Sequence, residues 1–349
     1  DLGEDSIACL TSDLPAKEKN KIYDRLEKGE ILYLFGTHAL IQSKVVFSSL
    51  ALAITDEQHR FGVKQRLKLS KAEEAHILVM SATPIPRTLG LVIYGDLDVS
   101  VLAEKPPGRK PVRTYTARTK DVPRLNQLIR RFVEQGDQVY IVCPMVQESD
   151  SSDLQSAESL YEELSTRTFP DLGVGLVHGQ LKEKDKNQVM EDFLDQKIQI
   201  LVSTTVIEVG VDNPRASLMI VVNAERFGLA QLHQLRGRIG RGSRESLCVL
   251  QSDVGEGLAR ERLTTMCRTD DGFKIAEEDL RLRGPGDFFG TRQHGLPGFR
   301  MANLYEDQDL IRSSSEIAQE LLNHDPNLSL PEHRGLLEKA KSFLIQREQ

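Results

Sequence analysis

Three short constellations in this sequence carry side chains able to do chemistry. The first is Asp56-Glu57-Gln58-His59, which follows the apolar run Leu50 to Ile54 and Thr55. Adjacent carboxylates at the end of a strand point in different directions. One can hold Mg2+, directly or through water, while the other orients or deprotonates an attacking water. That division of labour suits hydrolysis of a phosphoanhydride, although a solvated turn after a strand presents the same pair. The second, Ser81-Ala82-Thr83-Pro84-Ile85-Pro86-Arg87-Thr88, also follows an apolar strand, and its small hydroxyls can hydrogen-bond neighbouring side chains. As the next strand end it is expected beside the first. The third is Gln231 to Gly242. Here Arg238 and Arg241 are three apart, so on a helix they share a face and can offer two guanidinium forks to one polyphosphate. Gly237 and Gly240 cost a helix about 1 kcal/mol each, which a purely structural helix avoids.

Such side chains need a scaffold that delivers strand ends to one edge. Short β-rich runs (Ile31 to Phe35, Leu50 to Ile54, His76 to Met80, Val139 to Val142, Ile198 to Val202, Leu218 to Val222) alternate with stretches of helical periodicity at Pro15 to Lys28, Val122 to Gln135 and Leu181 to Gln196. This alternation predicts an α/β fold of parallel sheets with helices on both faces. Ligands then bind at the carboxyl edges of the strands. The sequence also matches itself. Leu14, Lys17, Lys19, Asn20, Ile22, Leu26, Ile31, Leu34 and Thr37 align with Leu181, Lys184, Lys186, Asn187, Val189, Phe193, Ile198, Leu201 and Thr204 at one offset, 181 − 14 = 167. Common Lys and Leu supply some of these matches by chance. Taken as a repeat, they mean two tandem copies of one α/β lobe, and the second copy has lost the Asp of the first constellation. The Pro- and Gly-rich stretch Glu104 to Pro111 marks the boundary.

The length of 349 residues suits about two domains. With 39% hydrophobic and 28% charged residues and no Trp, the core rests on Leu, Ile and Val. No apolar run approaches the roughly 18 residues of a membrane span, and no basic-then-apolar leader is present. Cys9, Cys143, Cys248 and Cys267 lie far apart, which argues against a zinc site or disulfide framework and points to a reducing cytoplasm. A net charge of −7, taken as a sum, argues against nucleic acid. Partners respond to local fields, however, and the segments with candidate chemistry are rich in arginine. Gly284-x-Gly286-x-x-x-Gly290 is too long for a dinucleotide fingerprint and follows no apolar strand. Arg281, Arg283, Arg292 and Arg300 instead surround an expected flexible loop that grips a duplex backbone, or else pins the tail to the second lobe.

Asp56 to His59, Ser81 to Thr83, Thr204-Thr205-Val206-Ile207-Glu208-Val209-Gly210-Val211-Asp212 and Gln234 to Arg241 resemble motifs II, III, V and VI of superfamily 2 helicases, in order and with suitable spacing. Gly36-Thr37-His38-Ala39 is similar to motif Ib. Asp56 to Val63, Ala82 to Thr88 and Arg281-Leu282-Arg283-Gly284-Pro285-Gly286-Asp287-Phe288-Phe289-Gly290-Thr291-Arg292-Gln293 narrow the resemblance to the RecG family. The last of these resembles a translocation motif shared with the Mfd translocases, whose second motif usually reads Asp-Glu-Glu-His, so Gln58 favours RecG. Thr55 departs from the family pattern, which usually has a larger apolar residue there.

The resemblance implies two tandem RecA-like parallel-sheet lobes, the first truncated, then a C-terminal helical and loop translocation segment, with boundaries at 1–103, 104–250 and 251–349. It implies ATP and Mg2+ as cofactors, with Asp56 holding the metal, Glu57 acting on water, and Arg238 and Arg241 reaching from the second lobe. Gln58, His59, Ser81, Thr83, Gly210, Asp212 and Gln234 would bind nucleotide or couple its state to DNA. Thr37, His38, Thr204, Thr205, Arg281, Arg283, Arg292 and Gln293 would contact DNA. The implied partner is branched DNA, replication forks and Holliday junctions, in the cytoplasm at the bacterial nucleoid, with a monomer favoured and no membrane. The motor also needs a P-loop, Gly-x-x-x-x-Gly-Lys-Ser/Thr, yet no Gly in this sequence is followed by Lys. The expectation is the C-terminal portion of a longer chain, without the family's wedge domain and not itself an ATPase. An Mfd-like duplex translocase and a non-catalytic DNA-binding module stand as alternatives.

Overall fold

The computed structural model describes residues 3–42, 44–56, 75–81, 98–102, 104, 108–144, 151–204, 213–242, 244–288 and 307–347. They fall into two compact units, Asp1–Ala82 and Thr83–Gln349.

The second unit contains a six-stranded sheet built from β5 (Val112–Ala117), β6 (Gln138–Val142), β7 (Val174–Val177), β8 (Ile200–Ser203), β9 (Ala216–Val221) and β10 (Ser246–Gln251), in the order β5-β10-β9-β6-β8-β7. Every pairing in it is parallel. All six residues of β9 are buried, the continuous burial of a strand covered on both faces. Side-chain alternation divides the core in two. Tyr140 and Val142 of β6 pack on one side with Phe193, Leu232, Leu235, Leu263 and Met266. Val139 and Ile141 pack on the other with Leu125, Ile129, Ala157 and Leu164. The helices on the second side are α2 (Val122–Glu134) and α3 (Ser151–Glu163). Those on the first are α4 (Glu183–Leu194), α5 (Leu229–Arg236), α6 (Leu258–Arg268) and α7 (Gly272–Phe288). The expected α/β/α layering is therefore present, and α8 (Gln308–His324) and α9 (Arg334–Arg347) form the polar tail.

The first unit contains β1 (Ile7–Leu10), α1 (Ala16–Glu27), β2 (Tyr33–Gly36), β3 (Leu52–Thr55) and β4 (His76–Val79), with β1-β2 and β3-β4 as parallel pairs. Pro15 is the residue that caps the start of α1, and Gly29, at φ 74°, follows its end.

The internal repeat holds at the level of backbone. Adding 167 to the bounds of β1, α1 and β2 gives those of β7, α4 and β8. Strand register repeats as well, since Ile7 pairs with Tyr33 as Val174 pairs with Ile200.

Two expectations are corrected. Arg238 and Arg241 do not share a helix face, because α5 ends at Arg236 and Gly240 takes φ 73°, which no helix accommodates. The expected flexible loop from Leu280 is helical as far as Phe288, Gly284 and Gly286 included.

Candidate nucleotide and nucleic-acid interface

Asp56 is exposed and directly follows the carboxyl end of β3, and exposed Ser81 stands two residues after β4. Thr55 pairs with Val79, so the two strand ends are neighbours in one parallel pair, as the sequence spacing predicts. Glu57, Gln58, His59 and Thr83 lie outside the described residues, as do Thr205, Gly210, Asp212, Arg292 and Gln293. His38 opens a 3-10 turn, with exposed Thr37 before it, and Arg283 lies on α7.

On the second unit Gln234 is half-buried in α5, and the chain then turns through Gly237 to Gly242. The turn is tight. A Cβ on Gly240 would approach Val112 Cγ2 to 2.7 Å and one on Gly242 would approach the Pro214 carbonyl oxygen to 2.5 Å. The Gly237 carbonyl accepts hydrogen bonds from Arg109 at 3.1 Å and from Nε of Arg241 at 3.3 Å. Arg241 is exposed and Arg238 half-buried. These glycines thus form a compact loop that carries two arginines beyond the helix, and guanidinium forks are side chains able to pair with an anion.

Three other arginines from the apparent basic concentration are held by partners within the protein, Arg236 in the interior and Arg244 and Arg281 at the surface. Arg236 is 4% exposed and donates to the carbonyls of Met266 and Thr269, both at 2.9 Å, with His233 Nδ1 at 3.2 Å from its other terminal nitrogen. Burial lowers its pKa. Arg244 donates to Asp137 at 2.7 Å and to the Gln135 carbonyl at 2.9 Å. Arg281 pairs with Glu278 at 2.9 Å and Glu261 at 3.5 Å, so its charge is partly neutralised where a DNA contact is expected.

At the carboxyl ends of β7 and β8, buried polar atoms lack partners among the described residues: His178 Nδ1, Ser203 Oγ and Thr204 Oγ1. Burial, reinforced by the nearby Lys186, holds the His178 imidazole below its ordinary pKa against the opposing pull of Glu158. Sequence reasoning selected Thr204 and missed His178. The available signal was its place directly after a strand of the repeat.

The helicase conserved C-terminal domain matches residues 121–243, and the C-terminal part of domain 3 of ATP-dependent DNA helicase RecG matches residues 269–347. ATP-dependent DNA helicase RecG of Thermotoga maritima is 50% identical over 334 residues, 95% of this chain and 42% of that protein. The Bacillus subtilis protein of the same name is 46% identical over 332 residues, 95% of this chain and 49% of its own. A structure of RecG bound to a three-way DNA junction superposes with TM-score 0.67 at 48% identity, covering 87% of this chain and 39% of that one. Over most of its length the chain is similar to these RecG proteins. It spans about two fifths to one half of the length of these RecG relatives. S. cerevisiae Dbp5 bound to RNA shares the fold at TM-score 0.51 and 14% identity, covering 89% of this chain and 73% of that one. The lobes are RecA-like, and the RecG domain match begins at the α6–α7 junction where Arg236 is anchored.

Proposed function

We propose that this chain supplies the motor portion of an ATP-dependent DNA helicase and translocase that remodels branched DNA, replication forks and Holliday junctions. The observation that carries the reading is 48% identity, over 87% of the chain, to a RecG solved on a three-way junction. In this reading residues 1–103 belong to the first lobe, 104–250 form the second, and 251–349 the translocation segment and tail.

The residues present fit a Mg2+–nucleotide. Mg2+ keeps several waters and takes one or two carboxylates together with substrate phosphates, and Asp56 offers such an exposed carboxylate at a strand end. The metal would supply charge neutralisation at the phosphates. Asp56 holds that position, Glu57 accepts a proton from the attacking water, and Ser81 and Thr83 report the nucleotide state. Arg238 and Arg241 stabilise the charge that develops as the phosphoryl group transfers. Within these 349 residues no Gly is followed by Lys, so in this reading the phosphate cradle comes from polypeptide outside them. Thr37, Thr204, Thr205 and the arginines of α7 contact the DNA backbone, which such groups hold without reading sequence.

The test is ATP-dependent unwinding of a three-way junction by the protein encoded by the whole open reading frame. Asp56→Ala should abolish it. Unwinding that persists in this variant, or that needs no ATP, overturns the reading.

A further inference from the structure

The loop that carries Arg238 and Arg241 is fastened at both ends. Its first carbonyl, that of Gly237, accepts from Nη2 of Arg109 at 3.1 Å and from Nε of Arg241 at 3.3 Å. A carbonyl oxygen has two lone pairs, so these two guanidiniums occupy both. A bond through Nε also fixes the plane of the Arg241 guanidinium, and with it the direction of its terminal nitrogens. Just beyond the loop, Arg244 donates to Asp137 Oδ1 at 2.7 Å and to the Gln135 carbonyl at 2.9 Å, and Asp137 is 5% exposed. A buried carboxylate left without its partner is costly, which makes the second fastening expensive to break.

Between these points the loop rests on neighbouring segments. Gly240 turns against Val112, the first residue of β5, and Gly242 against the Pro214 carbonyl, which shortly precedes β9. Asp137 directly precedes β6. Because the strands are parallel, all these contacts fall at the amino edge of the sheet, opposite the strand ends that His178 and Thr204 follow. Arg109 reaches that edge from the Pro- and Gly-rich boundary stretch Glu104 to Pro111. Gly108 takes φ 83° with nothing within 4 Å of a Cβ, so glycine is needed there for the turn before Arg109 and not for space. Arg109 is half-buried, whereas Gly108 and Lys110 on either side are exposed.

We propose that Arg109 and Arg244 are positioning residues for phosphoryl transfer, which hold the two ends of the arginine loop and so aim Arg241. This rests on the ATP-motor reading and adds Arg109 and Arg244 to it, neither of them touching the nucleotide. Held in this way, Arg241 meets the transferring phosphoryl group with its fork already oriented. A charged group contributes most when it needs no reorganisation at the moment of reaction. Releasing either end leaves Arg241 present and charged but no longer aimed.

The experiment uses the protein encoded by the whole open reading frame, with a three-way DNA junction. Steady-state ATP hydrolysis is measured, together with equilibrium binding of ADP alone and of ADP with aluminium fluoride, which mimics the phosphoryl group in flight. Arg109→Met should lower kcat about tenfold with KM for ATP little changed. It should weaken the aluminium fluoride complex about tenfold while ADP binds as before. Arg109→Lys, which keeps a donor for the Gly237 carbonyl, should recover most of both. On an Arg241→Ala background, Arg109→Met should shift the ratio of the two affinities no further. That ratio belongs to the folded molecules alone, so it decides the matter even if a variant melts lower. Arg244→Met should shift it in the same direction and supplies it if Arg109→Met does not fold. If the unmutated protein hydrolyses no ATP, the motor reading fails and the positioning role with it. If it hydrolyses ATP and Arg109→Met keeps the parental kcat and ratio, the positioning role alone fails. Equal weakening of both complexes, or a further shift on the Arg241→Ala background, would also overturn it.

Discussion

Arg236 stands two residues before Arg238, yet its guanidinium faces the protein interior, joined to carbonyls at the end of α6 and just beyond it. Its neighbours in sequence gave no sign of this, because a basic run reads the same whether its charges face outward or inward. The buried Met266 carbonyl and the half-buried Thr269 carbonyl need a donor. Arg236→Met should therefore destabilise the second unit by about 2 kcal/mol, read as a lower urea midpoint with unchanged slope. Arg241→Ala should leave that midpoint in place. In the ATP-hydrolysing protein it should cut turnover about a thousandfold while nucleotide binding, followed by equilibrium titration, persists. Asp325 shows how a single carboxylate organises a turn. Hydrogen bonds from the Leu330 amide, from His333, and from the Ser329 amide and hydroxyl hold its carboxyl well below the usual carboxylate range. A depressed folded pKa stabilises above the unfolded value, about 3.9, and this contribution is lost as pH falls below it. The α8–α9 junction should lose amide protection on acidification below about pH 4, and Asp325→Asn should lack that step.

At the level of elements, periodicity recovered α1, α2 and α4 to within about two residues, since their apolar faces repeat at helical spacing and Gly29 and Gly136 close two of them at positive φ. It failed at Gln231 to Gly242 for a tertiary reason. Ridge spacing puts Arg238 and Arg241 on one face, but the helix stops where Gly240 turns against Val112 of β5. Sequence gives no register between segments so far apart. Gly240→Ala tests the turn directly. A left-handed conformation costs an L-residue about 1–2 kcal/mol, and here the new methyl also meets a γ-carbon at 2.7 Å. The variant should melt lower by more than that backbone cost alone, and in the ATP-hydrolysing protein it should depress turnover by displacing Arg241. Normal turnover in a destabilised variant would separate the turn from the arginine's role.

Across the whole molecule, the repeat permits a comparison of burial at matched positions. Phe35 is 61% exposed and Tyr33 47%, while their equivalents Val202 and Ile200 are fully buried. Likewise Leu52 is 52% and Ile54 58% exposed on β3. The second unit has β6 between β8 and β9, with helices on both faces, and the described residues of the first provide no equivalent of that strand. The same apolar patterns therefore release far less free energy in Asp1–Ala82, at roughly 25 cal/mol per Å² removed from water. Stability should divide accordingly. Limited proteolysis of the chain should cut first within the Asp1–Ala82 unit and leave a resistant fragment containing β5 to β10, and earlier cleavage inside β6 to β9 would contradict the comparison. The half-formed burial and the missing Gly-Lys pair converge on one functional outcome for the isolated chain. It should bind branched DNA yet release no phosphate from ATP above the protein-free rate, with or without DNA. DNA-stimulated phosphate release by purified chain would show that a phosphate cradle exists within these residues in a form the sequence does not announce.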